Sequence, residues 1–162
     1  MELQFYSEKF KEDLYAFSLV NEQHQFTALP EEALQIIDEN RFPVVITLNE
    51  KAVGFFVLHQ GEAIRDYTTN PNALLLRAFS INQIHQGKGY AKEAMKLLSD
   101  FIRKHFPGTD EVVLAVNERN IAARTLYLRT GFEDQGNKLM GRKGWQSILT
   151  YSLKGNGKYL SK

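Results

Sequence analysis

The chain has 162 residues, 43% of them apolar and 24% charged, with 20 Lys plus Arg against 19 Asp plus Glu. That length suits one globular domain around one core, and a net charge of +1 argues against the basic excess that nonspecific binding to nucleic acid needs. The absence of cysteine excludes disulfides, thiolate metal sites and a cysteine acyl-enzyme, and makes the reducing cytoplasm the expected location.

Met1-Glu2-Leu3-Gln4 lacks the basic start of a signal peptide, and no later apolar run approaches the ~20 residues that span a bilayer, so no membrane partner is expected. Glu2 to Tyr6 reads as a short strand and Glu8 to Val20 as a helix with Phe10, Leu14 and Phe17 inward. A second helix follows, with Pro30 in its first turn and Glu31 and Glu32 where the helix dipole favours anions. Val44 to Leu48 and Val53 to His59 are β-branched or aromatic runs joined through Asn49-Glu50-Lys51, which predicts an antiparallel hairpin. After a polar connection over 61–72, the apolar stretch Leu74 to Ile81 predicts a strand buried on both faces.

From Gly89 the period becomes helical: Ala91, Met95, Leu98 and Ile102 form a stripe that ends at Pro107-Gly108. Glu111 to Val116 predicts a second buried strand, Asn120 to Thr130 a second amphipathic helix, and Gly131 its left-handed end. Strand, helix, strand in this order makes the two buried strands parallel, so the sheet is mixed. Phe132 starts a further strand, the polar stretch between Gly136 and Gly144 reads as a loop, and Ser147 to Leu153 as the last strand. Residues 1–154 are expected to form one domain, with 155–162 a loosely held tail.

Gln86-Gly87-Lys88-Gly89-Tyr90-Ala91 stands where a buried strand hands over to a long helix. Glycines there let the backbone approach an anion closely, the unpaired N–H groups of the helix start point at it, and Lys88 adds a full charge. A P-loop would place Lys and then Ser or Thr after the last glycine, and Tyr90-Ala91 follows Gly89 instead. A dinucleotide fingerprint would need a small residue where Lys92 falls, and would follow the first strand of the sheet. Taken alone, the two glycines fit a tight strand-to-helix turn better than they fit a phosphate site.

Two linked motifs extend this. Gln86-x-x-Gly89-x-Ala91 resembles the pyrophosphate loop of the GCN5-related N-acetyltransferases (GNAT family), and Val116-x-x-x-Asn120-x-x-Ala123-x-x-Leu126-Tyr127-x-x-x-Gly131-Phe132 resembles that family's second acetyl-CoA motif. The resemblance implies an α/β (mixed α+β) GNAT fold. Its sheet is mixed, mostly antiparallel, with six to seven strands, a splayed parallel pair in the middle and about four helices. It implies acetyl-CoA as cosubstrate, no metal, and an amine as acceptor, attacking directly within a ternary complex.

By the same resemblance, the main-chain amides of Phe79 and Ile81, flanking Ser80, meet the thioester carbonyl and the pantetheine, where a fixed amide stabilises developing negative charge. Gln86, Gly87, Lys88, Gly89, Tyr90 and Ala91 cradle the pyrophosphate, and Ala123 belongs to the cofactor side. Asn120 either touches the pantetheine or caps its helix. Tyr127 is the expected catalytic residue, a phenol that protonates the departing thiolate. Where some relatives carry a glutamate base on the first splayed strand, this chain has Leu75; His59, Glu62, Asp66 and His85 are candidates that no spacing fixes.

For the acceptor, a small-molecule amine is the leading expectation and a protein N-terminus or lysine the next. Leu76 to Tyr90 has a general likeness to small bacterial diamine and polyamine acetyltransferases. Glu31, Glu32, Asp38, Glu39, Glu62 and Asp66 either hold a cationic amine or form a solvated acidic face. A noncatalytic acyl-CoA-binding domain and a nucleotide-binding domain of another family are the competing classes. The chain does not fix an oligomeric state, although dimers are common in the family, which leaves a homodimer open.

Overall fold

The computed structural model describes residues 1–154, so the expected tail over 155–162 lies outside the described residues. The chain runs through β1 (Glu2–Phe5), a 3-10 turn (Glu8–Phe10), α1 (Lys11–Tyr15), α2 (Asn21–His24), α3 (Pro30–Leu34), β2 (Arg41–Leu48) and β3 (Lys51–His59). A second 3-10 turn (Glu62–Ile64) leads to β4 (Ala73–Ile81), and a third (Gln83–His85) to α4 (Tyr90–His105). Then follow β5 (Glu111–Asn117), α5 (Ile121–Arg129), β6 (Glu133–Gly141) and β7 (Gly144–Ser152).

All seven strands join one sheet in the order β1-β2-β3-β4-β5-β7-β6, antiparallel everywhere except between β4 and β5. The mixed sheet with one central parallel pair is therefore as expected. On one face, Ala94, Met95, Leu98, Phe101 and Ile102 of α4 pack on Val44, Phe56, Leu74 and Val112. Fully burying such side chains contributes about 1.5–3 kcal/mol for each large one. On the other face, Phe10, Leu14 and Phe17 pack with Ala33 against Val45, Phe55 and Val57.

Three local expectations need correction. The helix expected over Glu8 to Val20 ends at Tyr15. Ser18 is pulled out of it, its N–H donating to Asn82 Oδ1 at 3.1 Å and its carbonyl accepting from Gln83 N–H at 2.9 Å. The turn between β2 and β3 has two residues, not three: Asn49 and Glu50 take positive φ (50° and 67°) and Lys51 already pairs with Leu48. That matches the mirror-image turn whose twist suits a hairpin.

The stretch expected to be a loop, between Gly136 and Gly144, is most of β6 and the start of β7, joined at Arg142-Lys143. Its first six residues are all exposed, so an edge strand wet on both faces leaves no apolar alternation to read. Gly136 (φ 89°) marks the register shift between Asp134 and Lys138. Gly131 ends α5 at φ 111°, as expected, and a Cβ there would sit 2.7 Å from the Tyr151 ring.

Candidate active site

β4 and β5 pair over only three residues, Ala73↔Glu111 to Leu75↔Val113. Beyond them each strand stays with its outer neighbour, β4 with β3 as far as Ile81 and β5 with β7 as far as Asn117. The two central strands therefore part, and a cavity of about 580 Å³ opens between them.

The packing partners of β4 show how the crevice crosses the sheet. Leu74 and Leu76 pack with the α4 cluster, while Leu75 packs on the other face with Ile64, Val113 and Tyr67. Ala78 then takes φ 55°, and the register with β3 skips between Phe55 and Val57. This bulge puts Ala78 on the α1–α3 side and returns Phe79 and Ile81 to the α4 side. One mouth is thus lined from α4 and α5 by Ala91, Ala122, Ala123, Leu126 and Tyr127, the other by Phe26, Thr27, Tyr67, Arg77 and Ala78.

Tyr127 is 8% exposed and faces the crevice. Its ring meets Phe79 edge-on with centroids 6.2 Å apart and Phe132 at 5.7 Å. Burial pushes its pKa well above that of an ordinary tyrosine, so the phenol keeps its proton throughout the neutral range. Of the other expected cofactor residues, Phe79, Ser80, Ile81, Gln86, Gly87, Ala91, Asn120 and Ala123 line the cavity, whereas Lys88, Gly89 and Tyr90 stand outside it. Ser80 Oγ is buried without a hydrogen-bond partner. Asn120 Oδ1 accepts from Ala123 N–H at 3.3 Å, which makes it the cap of α5.

At the glycine loop, Gly87 and Gly89 take φ of 79° and 82°, and a Cβ on either would meet nothing within 4 Å. Glycine is favoured there by conformation, not by crowding. Gln86 is fully engaged: its amide exchanges two hydrogen bonds with Gln23 of α2 (2.8 and 3.0 Å) and donates to the Ile81 carbonyl at 2.8 Å. The loop and the N-terminal segment are thereby tied together.

The candidate bases fall away from this space. His59 is buried against Arg77, whose Nη1 lies 3.1 Å from its Nδ1. Burial first, then the charges of Arg41 and Arg77, hold its pKa below the usual histidine value. Glu62 pairs with Arg65, Asp66 is exposed, and His85 tilts against Tyr90; none of the four lines the crevice, while Leu75 does. The acidic residues near α3 are also outside the crevice: Glu32 meets His24 at 2.7 Å and the Leu29 N–H, and Asp38 meets Arg41. That arrangement is the solvated acidic face. Sequence reasoning passed over Gln23, Phe26, Thr27, Tyr67 and Gln146, which carry no motif, and Arg77, whose charge inside an apolar run was a visible signal.

Among known proteins, the family model described as the Acetyltransferase (GNAT) family matches residues 5–132. A Bacillus subtilis (strain 168) protein named uncharacterized N-acetyltransferase YbbJ is 44% identical over 154 residues, covering 93% of this chain and 96% of that protein. In fold, the chain resembles aminoglycoside acetyltransferase AAC(6')-Ib solved with coenzyme A and kanamycin (TM-score 0.78, 17% identity, 96% of each chain). It also resembles the Vibrio cholerae spermidine N-acetyltransferase solved with CoA and spermine (TM-score 0.70, 16% identity, 94% of this chain and 95% of that one).

Proposed function

This chain belongs to the GNAT family and is an N-acetyltransferase, and we propose that the crevice between β4 and β5 is where it transfers the acetyl group of acetyl-CoA to a small-molecule amine by direct attack. The observation that carries this is a cavity lined from both faces of the sheet, with a glycine loop and helix start on one side and side chains from distant segments on the other. Two substrates can then meet across the sheet.

The residues fit the cosubstrate. The N–H groups from Gly87 to Ala91, at the start of the 16-residue α4, suit a diphosphate, with Lys88 adding charge from outside the lining. The length of β4 that has left β5, from Leu76 to Ile81, offers main-chain groups of Phe79 and Ile81 to an extended chain of amides. Bound acetyl-CoA supplies the activated acyl group as a thioester. Tyr127 holds a proton at Oη and gives it to the departing sulfur; burial keeps the phenol protonated beforehand and makes a lasting phenolate costly, so Oη regains a proton before the next turnover. No carboxylate lines the crevice among the described residues, so the amine loses its proton to water entering from the Tyr67 mouth. Phe79 and Phe132 fix the Tyr127 ring.

The fold it shares with enzymes solved with an aminoglycoside or spermine supports a small acceptor. We take residues 1–154 as one catalytic unit, working in the cytoplasm, where acetyl-CoA is available. The test is thiol release from acetyl-CoA with a panel of small amines beside peptides bearing a free N-terminus or lysine. Faster turnover of small amines is expected; a peptide surpassing all of them would overturn the choice of acceptor.

A further inference from the structure

Among the described residues, Arg77 is the one charged residue lining the crevice. A guanidinium inside an otherwise apolar strand, partly withdrawn from water, is costly unless something anionic meets it. Among the described residues no carboxylate does: every ion pair of the other arginines leaves Arg77 out. Its neighbours are His59, whose Nδ1 takes one hydrogen bond from Nη1, with Tyr67 and the like-charged Arg41 nearby. The remaining N–H groups of Arg77 are absent from the buried, unpartnered atoms, which do include nitrogens of Arg41, Arg103 and Arg124. Arg77 itself is half-buried and lines the crevice, which leaves those groups within reach of a molecule bound there.

Position decides which substrate these donors serve. Arg77 shares its face of β4 with Leu75, on the Tyr67 side, and stands two residues before Phe79 on the side away from the glycine loop. Two strand residues span roughly 6–7 Å. The donors thus lie beyond the point where Phe79 and Tyr127 meet, in the mouth left to the acceptor. His59 occupies one donor of the guanidinium, which leaves the others of its planar fork for a ligand in the crevice.

Resting on the acetyl-transfer function proposed above, we propose that the acceptor is a small amine that also carries an oxyanion, a carboxylate or a phosphate, and that Arg77 binds that anion and so selects the substrate. A planar guanidinium matches either group through two parallel hydrogen bonds. A polycation would instead bring like charge to Arg77, with no acidic side chain among the described residues lining the crevice to receive it. Arg77 is thus a specificity residue, separate from the proton transfer at Tyr127.

The experiment compares matched acceptors on the full chain: L-amino acids against the corresponding amino-acid amides, O-phosphoethanolamine against ethanolamine, and spermidine. An anionic member is expected to exceed its neutral partner at least tenfold in kcat/KM, and the better arm identifies carboxylate or phosphate. Arg77→Gln should erase that preference through KM while coenzyme A affinity by calorimetry stays unchanged, and Arg77→Lys should restore part of it. An equilibrium readout is independent of turnover: with coenzyme A bound, the N-acetylated anionic product should raise the melting temperature of the wild-type protein and not of Arg77→Gln. Turnover confined to neutral or cationic amines, or an anion preference that survives Arg77→Gln, overturns this inference alone. No turnover with any amine overturns the proposed acetyl transfer and this inference together.

Discussion

On the α4–α5 side of the sheet the crevice is lined by main chain, glycines and small residues such as Ala91, Ala122 and Ala123. On the opposite side it is lined by Phe26, Thr27, Tyr67, Arg77 and Gln146, side chains drawn from segments far apart in the chain. On the proposed function, the first mouth would work through backbone groups whose chemistry is the same in every protein, so it would depend on conformation. The second would work through side-chain identity, so each position could change what it accepts. Tyr127 stands between them, in edge contact with Phe79.

The sharpest way to break this division is at its centre. Tyr127→Phe removes the proton and keeps the ring, so kcat should fall by about 100-fold or more, with coenzyme A affinity by calorimetry unchanged within about threefold. An unaltered kcat at saturating acceptor would remove Tyr127 from the proton transfer.

Next comes the backbone mouth. At Gly89, φ is 82° and there is room for a side chain. Gly89→Ala should therefore cost about 1–2 kcal/mol of conformational energy, read as a roughly 5- to 30-fold loss of coenzyme A affinity. Gly89→Asn should recover much of it, because asparagine tolerates this region. Equal weakening by Ala and Asn would point to side-chain bulk instead.

A smaller effect is expected where the two mouths are tied together. Gln23→Ala removes both hydrogen bonds to Gln86, each worth about 0.5–1.5 kcal/mol net. KM for cosubstrate and acceptor should both rise several-fold, and a change in only one of them would show that the tie does not couple the mouths.

The smallest effect concerns pH. His59 has a folded-state pKa below its ordinary 6.5, chiefly from burial. The unfolded chain gains that proton as pH falls past about 6.5, whereas the folded chain resists it. Stability present above that pH is therefore lost as the pH drops through the folded value. Urea midpoints should decline from about pH 8 to pH 5, and His59→Gln should flatten the decline. The same slope in both proteins would assign it to other groups.

The backbone mouth could be read in advance because its signals are local. A buried strand, two glycines and the helical stripe from Ala91 to Ile102 lie consecutively in the chain, and the Asn120 to Phe132 motif repeats the pattern of strand exit and helix start. The acceptor mouth could not be read this way. Phe26 and Thr27 sit in the irregular stretch between α2 and α3, Tyr67 in the connection before β4, and Gln146 on β7, with no spacing to link them. Ala78 gave no warning of its positive φ, since alanine ordinarily avoids that region. The part of β6 from Gly136 onward was missed because a strand exposed on both faces needs only β7 to pair with, and pairing leaves no trace in composition.

By itself the sequence determined the central strands, the helices that follow them and the glycine loop, because burial and helix periodicity act on neighbours along the chain; Tyr127 was singled out by the family resemblance. Only the tertiary structure decided where β4 leaves β5, that Gln86 is spent on Gln23, and that Arg77 lines the crevice with no acid beside it among the described residues. Those outcomes depend on which distant segments come together, and local propensity carries no information about a partner sixty residues away.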